Sequence, residues 1–436
     1  MWTEKLLEKL ETHSARASVI GLGYVGLSLA VELARSGVAV RGIDLDHERV
    51  NLLNRGESYL VDVPSEVLAP LVADGRLSGS TSFEDAGTAD ALIICVPTPL
   101  RKTKEPDISY ILAAVESVLP HLQAGQLMVL ESTTYPGTTE EVVQPRIEER
   151  GFVVGQDFFL AFSPERVDPG NKRFTTANIP KVVGGVTSAC TRLAAALYRR
   201  VTTSVFEVSS PRVAETAKLL ENTFRSVNIA LANELAFACR KIGVDPWEVI
   251  DAASTKPFGF MPFYPGPGIG GHCIPVDPLY LSWKVRLTGY EAQFIALADQ
   301  VNRAMPEHVV SLIADALNER GRALRGASVL VMGVTYKADV NDIRESPSLE
   351  IIEMLEKKGA QVSYADPFTR EISVGGIKLT AVEPSPAVID AADCVVILTN
   401  HSNFDREMIA RRASLVVDTR NALKAYRQGR SSIITL

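Results

Sequence analysis

At 436 residues the chain exceeds what one ordinary core serves, so two or three domains are expected. Its 46% hydrophobic and 22% charged residues are globular proportions, and a net charge of −7 argues against a nucleic-acid partner while leaving small anionic ligands open. No apolar run nears the roughly 20 residues that span a bilayer, and "MWTEKLLEKLETHSARA" is unlike a secretory leader, so a cytoplasmic protein with no membrane partner is expected.

The first clear pattern is "ASVIGLGYVGLSLAVELARSGVAVRGIDLD": a buried strand, a glycine turn, an amphipathic helix and a second strand ending at Asp44. Gly21, Gly23 and Gly26 form GxGxxG, enclosing Tyr24 and Val25. The first glycine permits the tight turn, the second lets a pyrophosphate approach the backbone, and the third lets helix and strand pack closely. Asp44 then stands where an acid binds the ribose hydroxyls and repels a 2′-phosphate, which favours NAD over NADP. Arg49 is a candidate to line the same site or a solvated charge on a helix face.

Further strands are predicted at 91–99, 127–133 and 158–165, each running into a polar, proline-marked loop. Loops after the carboxyl ends of strands face the ligand in a doubly wound sheet, which makes Val96, Pro97, Thr98, Ser132, Thr133 and Glu165 candidates for the cofactor cleft. From about Pro211 a helical pattern runs for some 30 residues without internal glycine or proline. Lys218 and Asn222 lie four apart on it, so they share a face and, if buried, need partners. A second α/β pattern comes later, with a strand at 327–333, a helix at about 346–358 and a strand at 361–366, but no GxGxxG. Tyr336, Lys337, Asp339, Asp342 and Arg344 crowd the loop after its first strand, reading as a second nucleotide-type pocket or as a salt-bridged surface loop. The fold class is therefore α/β: two Rossmann-like doubly wound domains joined by a long central helix and helical region. The expected limits are 1–208, 209–305 and 306–436.

Between the halves stands "FYPGPGIGGHCIPVDPLY", with Cys273 after four glycines. The other four cysteines are scattered without CxxC spacing, so no disulfide framework or structural zinc is expected. Adjacent residues rarely ligate one ion, so His272 and Cys273 make a poor metal site. A buried structural cysteine is the ordinary alternative. Against it, four glycines sacrifice packing and conformational entropy, a cost tolerated where backbone must approach a ligand. A cysteine beside NAD suggests oxidation of an aldehyde through a thioester, with Lys218 lowering the thiol pKa or holding the oxyanion, Asp277 as general base and Glu165 orienting water.

At this point the chain resembles, over essentially its whole length, the UDP-sugar 6-dehydrogenases. The motifs that carry the resemblance are "GLGYVGLSLA", "ESTTYPGTT", "FSPERVDPGN", "AKLLENTFRSVNIALANE", "GPGIGGHCIPVDP" and "GVTYKADVNDIRESP", in that order. The resemblance implies an NAD domain, a central dimerisation region and a UDP-binding domain, with a homodimer or higher homo-oligomer as the assembly. It implies a four-electron oxidation of a C6 alcohol through aldehyde and thioester to the carboxylate, with two NAD reduced. By motif, the nucleophile is Cys273, assisted by Lys218, Asn222 and Asp277, while Glu165 and Thr133 serve the water. Arg166 and Val167 beside Glu165, Tyr264 to Gly268, Lys337 and Arg420 fall to the UDP-sugar, and Arg344 to the cofactor. "SPERVDPGN" and "GHCIPVDP" resemble the N-acetylhexosamine branch, and "TKPFGFMPFYPGPG" its UDP-N-acetylglucosamine members, which supply bacterial surface polysaccharides. A two-electron hydroxyacid dehydrogenase and a non-catalytic NAD-sensing protein are the competing readings; neither needs the cysteine.

Overall fold

Short apolar runs closed by glycine, proline or a polar residue become strands throughout the chain. The computed structural model describes residues 1–60, 62–101, 103–167, 171 and 173–436, in two compact units, Met1–Glu221 with Leu279–Tyr290, and Asn222–Pro278 with Glu291–Leu436. Asp168 to Gly170 of "FSPERVDPGN" lie outside the described residues.

In the first unit, strands β1 (Arg16–Ile20), β2 (Ala39–Ile43), β3 (Leu77–Ser80), β4 (Ala91–Ile94), β5 (Leu127–Leu130), β6 (Phe159–Phe162), β7 (Lys181–Gly185) and β8 (Val205–Val208) form one sheet. Their order is β3-β2-β1-β4-β5-β6-β7-β8. The order reverses between β1 and β4, which is the switch point where open α/β sheets bind ligands. Every residue of β4, β5 and β6 is buried, as a parallel sheet covered on both faces requires. These strands stop sooner than their sequences predict, at Ile94, Leu130 and Phe162. Pro97, Pro99 and Pro164 have no N–H to extend a ladder, so Val96 to Thr98, Ser132, Thr133 and Glu165 fall in the loops beyond.

One pairing departs from the parallel rule. β7 runs antiparallel to β6, with Ala161 opposite Gly185 and Phe162 opposite Gly184. Carried three residues further, that register sets Lys181 opposite Glu165. The first residue of β7 thus stands at the edge where parallel strands end.

The second unit holds a parallel sheet of β9 (Ser328–Met332), β10 (Gln361–Ala365), β13 (Cys394–Ile397), β14 (Val416–Asp418) and β15 (Ile433–Thr435), ordered β10-β9-β13-β14-β15. Between β10 and β13 the chain makes a separate hairpin, β11 (Glu371–Val374) with β12 (Ile377–Thr380). Val329 and Val331 pack into one apolar cluster, while Leu330 and Met332 pack into another on the opposite face. Burying a side chain of this size contributes roughly 1.5–3 kcal/mol. The long helix runs Pro211–Ile242, starting where its sequence pattern begins. No helix among the described residues is long and apolar enough to cross a membrane.

Candidate active site

The first unit's glycine turn has the shape a dinucleotide needs. Gly21 has φ +90°, and a Cβ there would sit 2.7 Å from the Cys95 carbonyl oxygen. A Cβ on Gly26 would overlap the Gly21 carbonyl oxygen at 1.8 Å. Gly23, which caps the Tyr24–Arg35 helix, meets nothing within 4 Å, so its side is open for a phosphate to approach. The Leu22 N–H donates to Asp44 Oδ2 at 2.7 Å, fixing the acid at the end of β2, and Arg49 Nη1 lies 3.7 Å from the same oxygen. This turn fits NAD. Tyr24 is hydrogen-bonded to Asp62, and Val25 packs against the apolar core.

The loop after β4 is anchored twice. Ser132 Oγ donates to the Val96 carbonyl at 2.7 Å, and Tyr280 donates to the carbonyls of Thr98 and Pro99 at 2.7 and 3.1 Å. Ser132 therefore serves as a strut under the loop. Thr133, the next residue, is partly exposed. Glu215, fully buried on the long helix, accepts from the Gly137 and Thr139 N–H groups and the Thr139 hydroxyl at 2.5, 3.0 and 2.7 Å. Burial pushes its carboxyl up against those bonds. Glu215 thereby ties the loop carrying Thr133 to the helix carrying Lys218, one turn further on. Lys218 is buried, and among the described residues no carboxylate pairs with it.

Glu165 is held on three sides. Its Oε1 accepts the N–H groups of Arg166 and Val167, both at 2.7 Å, and its Oε2 accepts from Lys181 Nζ at 3.1 Å. Burial would raise its carboxyl, but Lys181 and the two amides outweigh that and hold it below the ordinary range. Arg166 itself turns to Glu221 at 2.7 Å and to the Pro180 carbonyl.

In the second unit, Cys273 is exposed and Asp277 is buried. The Asp277 N–H donates to the Cys273 carbonyl at 2.8 Å, opening the Asp277–Arg286 helix. Asn222 Nδ2 donates to Asp277 Oδ2 at 2.5 Å, so the amide predicted to need a partner finds it in the acid four residues past the cysteine.

The glycines before Cys273 correct one expectation. Their pattern predicts backbone open to a ligand, but the chain itself fills most of that space. A Cβ on Gly270 would lie 2.6 Å from Tyr336 Cβ, one on Gly271 2.9 Å from the Tyr336 ring, and one on Gly268 3.0 Å from Pro347. Only Gly266 presses on a charged group, at 2.7 Å from Arg420 Nη1. Arg420 is half-buried, its Nε donates to the Leu398 carbonyl at 2.8 Å, and desolvation lowers it to about 10. An arginine so desolvated is suited to an anion. Tyr264 stacks on Trp247 and donates to Asp251 at 2.8 Å.

The loop after β9 carries the salt bridges that one of its two readings predicts. Asp342 and Arg344 form a salt bridge at 2.5 Å, and Asp339 accepts from Ser402, which are internal struts. Lys337 sits partly buried on the same loop. Arg344, expected at the cofactor, here lies 2.6 Å from His272 Nε2. Partial desolvation and this guanidinium keep the His272 imidazole below its ordinary pKa. His272 is thus a spacer between Arg344 and the cysteine segment.

Sequence reasoning passes over Glu131, Lys181, Tyr198 and Glu215. Three of them leave a signal: Glu131 is the first charge after a wholly apolar strand, Lys181 opens "KVVGG", and Glu215 lies three residues before Lys218 on one helix face.

Three segments match one family by sequence: 15–202 the NAD binding domain of the UDP-glucose/GDP-mannose dehydrogenase family, 212–304 its central domain, and 330–425 its UDP binding domain. The chain is 37% identical over 393 residues to the UDP-N-acetyl-D-glucosamine 6-dehydrogenase of Pseudomonas aeruginosa, covering 89% of this chain and 91% of that one. It is 36% identical over 430 residues to the NDP-N-acetyl-D-galactosaminuronic acid dehydrogenase of Ralstonia solanacearum, covering 96% and 98%. Its fold is similar to that of the UDP-D-ManNAc dehydrogenase of Pyrococcus horikoshii, with a TM-score of 0.88 and 32% identity over 96% of this chain and 98% of that one.

Proposed function

The chain belongs to the UDP-glucose/GDP-mannose dehydrogenase family, whose members include NAD-dependent UDP-sugar dehydrogenases, and from that premise we propose that it oxidises the C6 alcohol of a UDP-N-acetylhexosamine to the carboxylate. The favoured substrate is UDP-N-acetylglucosamine and the product a precursor of bacterial surface polysaccharide, a choice that rests on the "TKPFGFMPFYPGPG" stretch. The Pseudomonas, Ralstonia and Pyrococcus relatives carry the names of three different hexosamines, so the family alone leaves the epimer open. The matched segments support domain limits near 1–208, 209–305 and 306–436.

The observation that carries the proposal is one turn that sets an exposed thiol, Cys273, four residues before a buried, hydrogen-bonded acid, Asp277. NAD, bound on the glycine turn, supplies the hydride acceptor for each of two oxidations. The first takes a hydride and a proton from the C6 alcohol and leaves an aldehyde. Cys273 then adds to the aldehyde carbon, forming a thiohemiacetal, and loss of a second hydride and a proton gives the thioester. Water adds to the acyl carbon, the C–S bond breaks and the thiol returns. Asp277 is assigned the proton transfers at C6, Asn222 its orientation, Lys218 the charge developing on the C6 oxygen, and Glu165 with Thr133 the water. Lys337, Arg420, Arg166, Val167 and the Tyr264 to Gly268 loop are assigned to the UDP-sugar.

The working form is proposed to be a homodimer. Val213, Leu220, Phe224 and Leu231 recur at intervals of seven, four and seven along the Pro211–Ile242 helix, and all are exposed, an apolar seam of the kind that pairs helices. A cytoplasmic setting is inferred from the buried thiols Cys95, Cys190, Cys239 and Cys394, which fit a reducing compartment.

The test is NADH production across UDP-N-acetylglucosamine, UDP-N-acetylgalactosamine, UDP-N-acetylmannosamine and UDP-glucose. The highest kcat/KM is expected with UDP-N-acetylglucosamine. A preference for another epimer overturns the substrate assignment, and full activity of Cys273→Ala overturns the covalent route.

A further inference from the structure

The proposed reaction uses Glu165 but leaves the buried charges beneath it without a role. Lys181 is only 3% exposed, and its ammonium lies between two carboxylates, Glu165 at 3.1 Å and Glu131, with which it forms a close ion pair. Tyr198, fully buried, donates to Glu131 Oε2 at 2.8 Å. The arrangement comes from topology. Glu131 lies just past β5 and Glu165 three residues past β6, and because β7 runs antiparallel to β6 its first residue, Lys181, comes to that edge in register opposite Glu165.

We propose that Lys181 is a positioning residue that orients the Glu165 carboxylate toward the hydrolytic water, with Glu131 and Tyr198 as its buried support. This rests on the role given to Glu165 in the proposed reaction. A carboxylate has about four acceptor sites; the Arg166 and Val167 amides occupy both on Oε1 and Lys181 one on Oε2. One site on Oε2 remains to take a proton as water bonds to the acyl carbon, the C–S bond breaks and sulfur leaves as thiolate.

The groups facing Glu165 set its ionisation. Lys181 lowers it, the Glu131 carboxylate and the buried Cys95 thiol are coupled to it, Tyr198 reaches it only through Glu131, and Arg166 is turned away to Glu221. Two carboxylates share one ammonium, and burial drives Glu131 upward while Glu165 stays low. Glu165 is therefore the first of the two to ionise as the pH rises. Removing the cation would raise the pH at which it loses its proton.

The experiment tracks Glu165 directly by carbon-13 NMR of glutamate-labelled protein, with Glu165→Gln assigning the resonance, and tracks catalysis by NADH bursts and intact mass. In Lys181→Met the Glu165 midpoint should rise by roughly one pH unit or more, with the acidic limb of the rate profile moving up alongside it. Thioester hydrolysis should slow roughly 100-fold, so that a substrate adduct accumulates. Lys181→Arg should restore both. Should Lys181→Met fail to fold, Lys181→Gln decides, since it also removes the cation and should raise the midpoint. An unchanged midpoint in either variant overturns the proposal. If the wild type releases one NADH and forms no adduct, the four-electron reading fails, while the titration still judges Lys181.

Discussion

The two sheets begin with the same turn and put it to different uses. In the first unit β1 ends at Ile20, Gly21 comes next with φ +90°, and the N–H after it, on Leu22, donates at 2.7 Å to Asp44 just past β2. In the second unit β9 ends at Met332, Gly333 comes next with φ +86°, and the N–H after it, on Val334, donates at 2.7 Å to Asp366 just past β10. Even the backbone bonds agree: Gly21 donates to Ile43 and Gly333 to Ala365. Beyond the turn the two units diverge. Asp44 keeps part of its carboxylate in reach of solvent, whereas Asp366 is fully enclosed and also accepts from Thr335, Phe368, Thr369 and His401. The glycine and the acid thus build the turn in both units. The difference lies in the next residues along the chain: an open Gly23 at a helix start in one, and the salt-bridged Tyr336 to Arg344 loop in the other.

On the proposed reaction, the cofactor belongs to the first unit and the thiol and acid to the second. The largest expected consequence is that Asp277→Asn lowers turnover roughly 10²- to 10⁴-fold while NAD binding, measured by fluorescence titration, is unchanged. Next, Gly21→Ala and Gly333→Ala should each cost roughly 2–4 kcal/mol in denaturant unfolding, because both glycines have positive φ and a Cβ would lie within 2.7 Å of neighbouring atoms. A tolerated Gly333→Ala would break the equivalence. A smaller effect should separate the acids. Asp366→Asn should lose roughly 1–3 kcal/mol, since it leaves enclosed donors unpaired. Asp44→Asn should lose less stability and instead relax the preference for NAD over NADP. Smallest in stability, Gly23→Ala should shift Tm within error yet raise KM for NAD, because its Cβ meets only open space in the protein.

Much of the fold is legible in the chain. Sequence pattern predicts the second βαβ at 327–333, about 346–358 and 361–366, and the elements are Ser328–Met332, Pro347–Lys357 and Gln361–Ala365. Apolar periodicity and caps are local, so they survive in sequence. The kinship of this βαβ with the first turn is hidden because only one glycine of the three remains, and because Asp366 declares itself only once β10 is paired beside β9. Lys181 is invisible for the same reason: its meaning depends on an antiparallel register 16 residues from Glu165. The glycines of 266–271 mark a constrained segment, but they serve packing on Tyr336, Pro347 and Arg420 rather than an open cradle. Motif assigns Arg344 to the cofactor, and its bonds to Asp342 and His272 need the folded loop to be seen.

The most direct measurement is the number of NADH molecules released for each UDP-N-acetylhexosamine consumed by the wild-type protein, by absorbance against quantified substrate. Covalent oxidation through Cys273 predicts two, with the uronic acid as the only product. One NADH per substrate, with an aldehyde or ketone product, would contradict it.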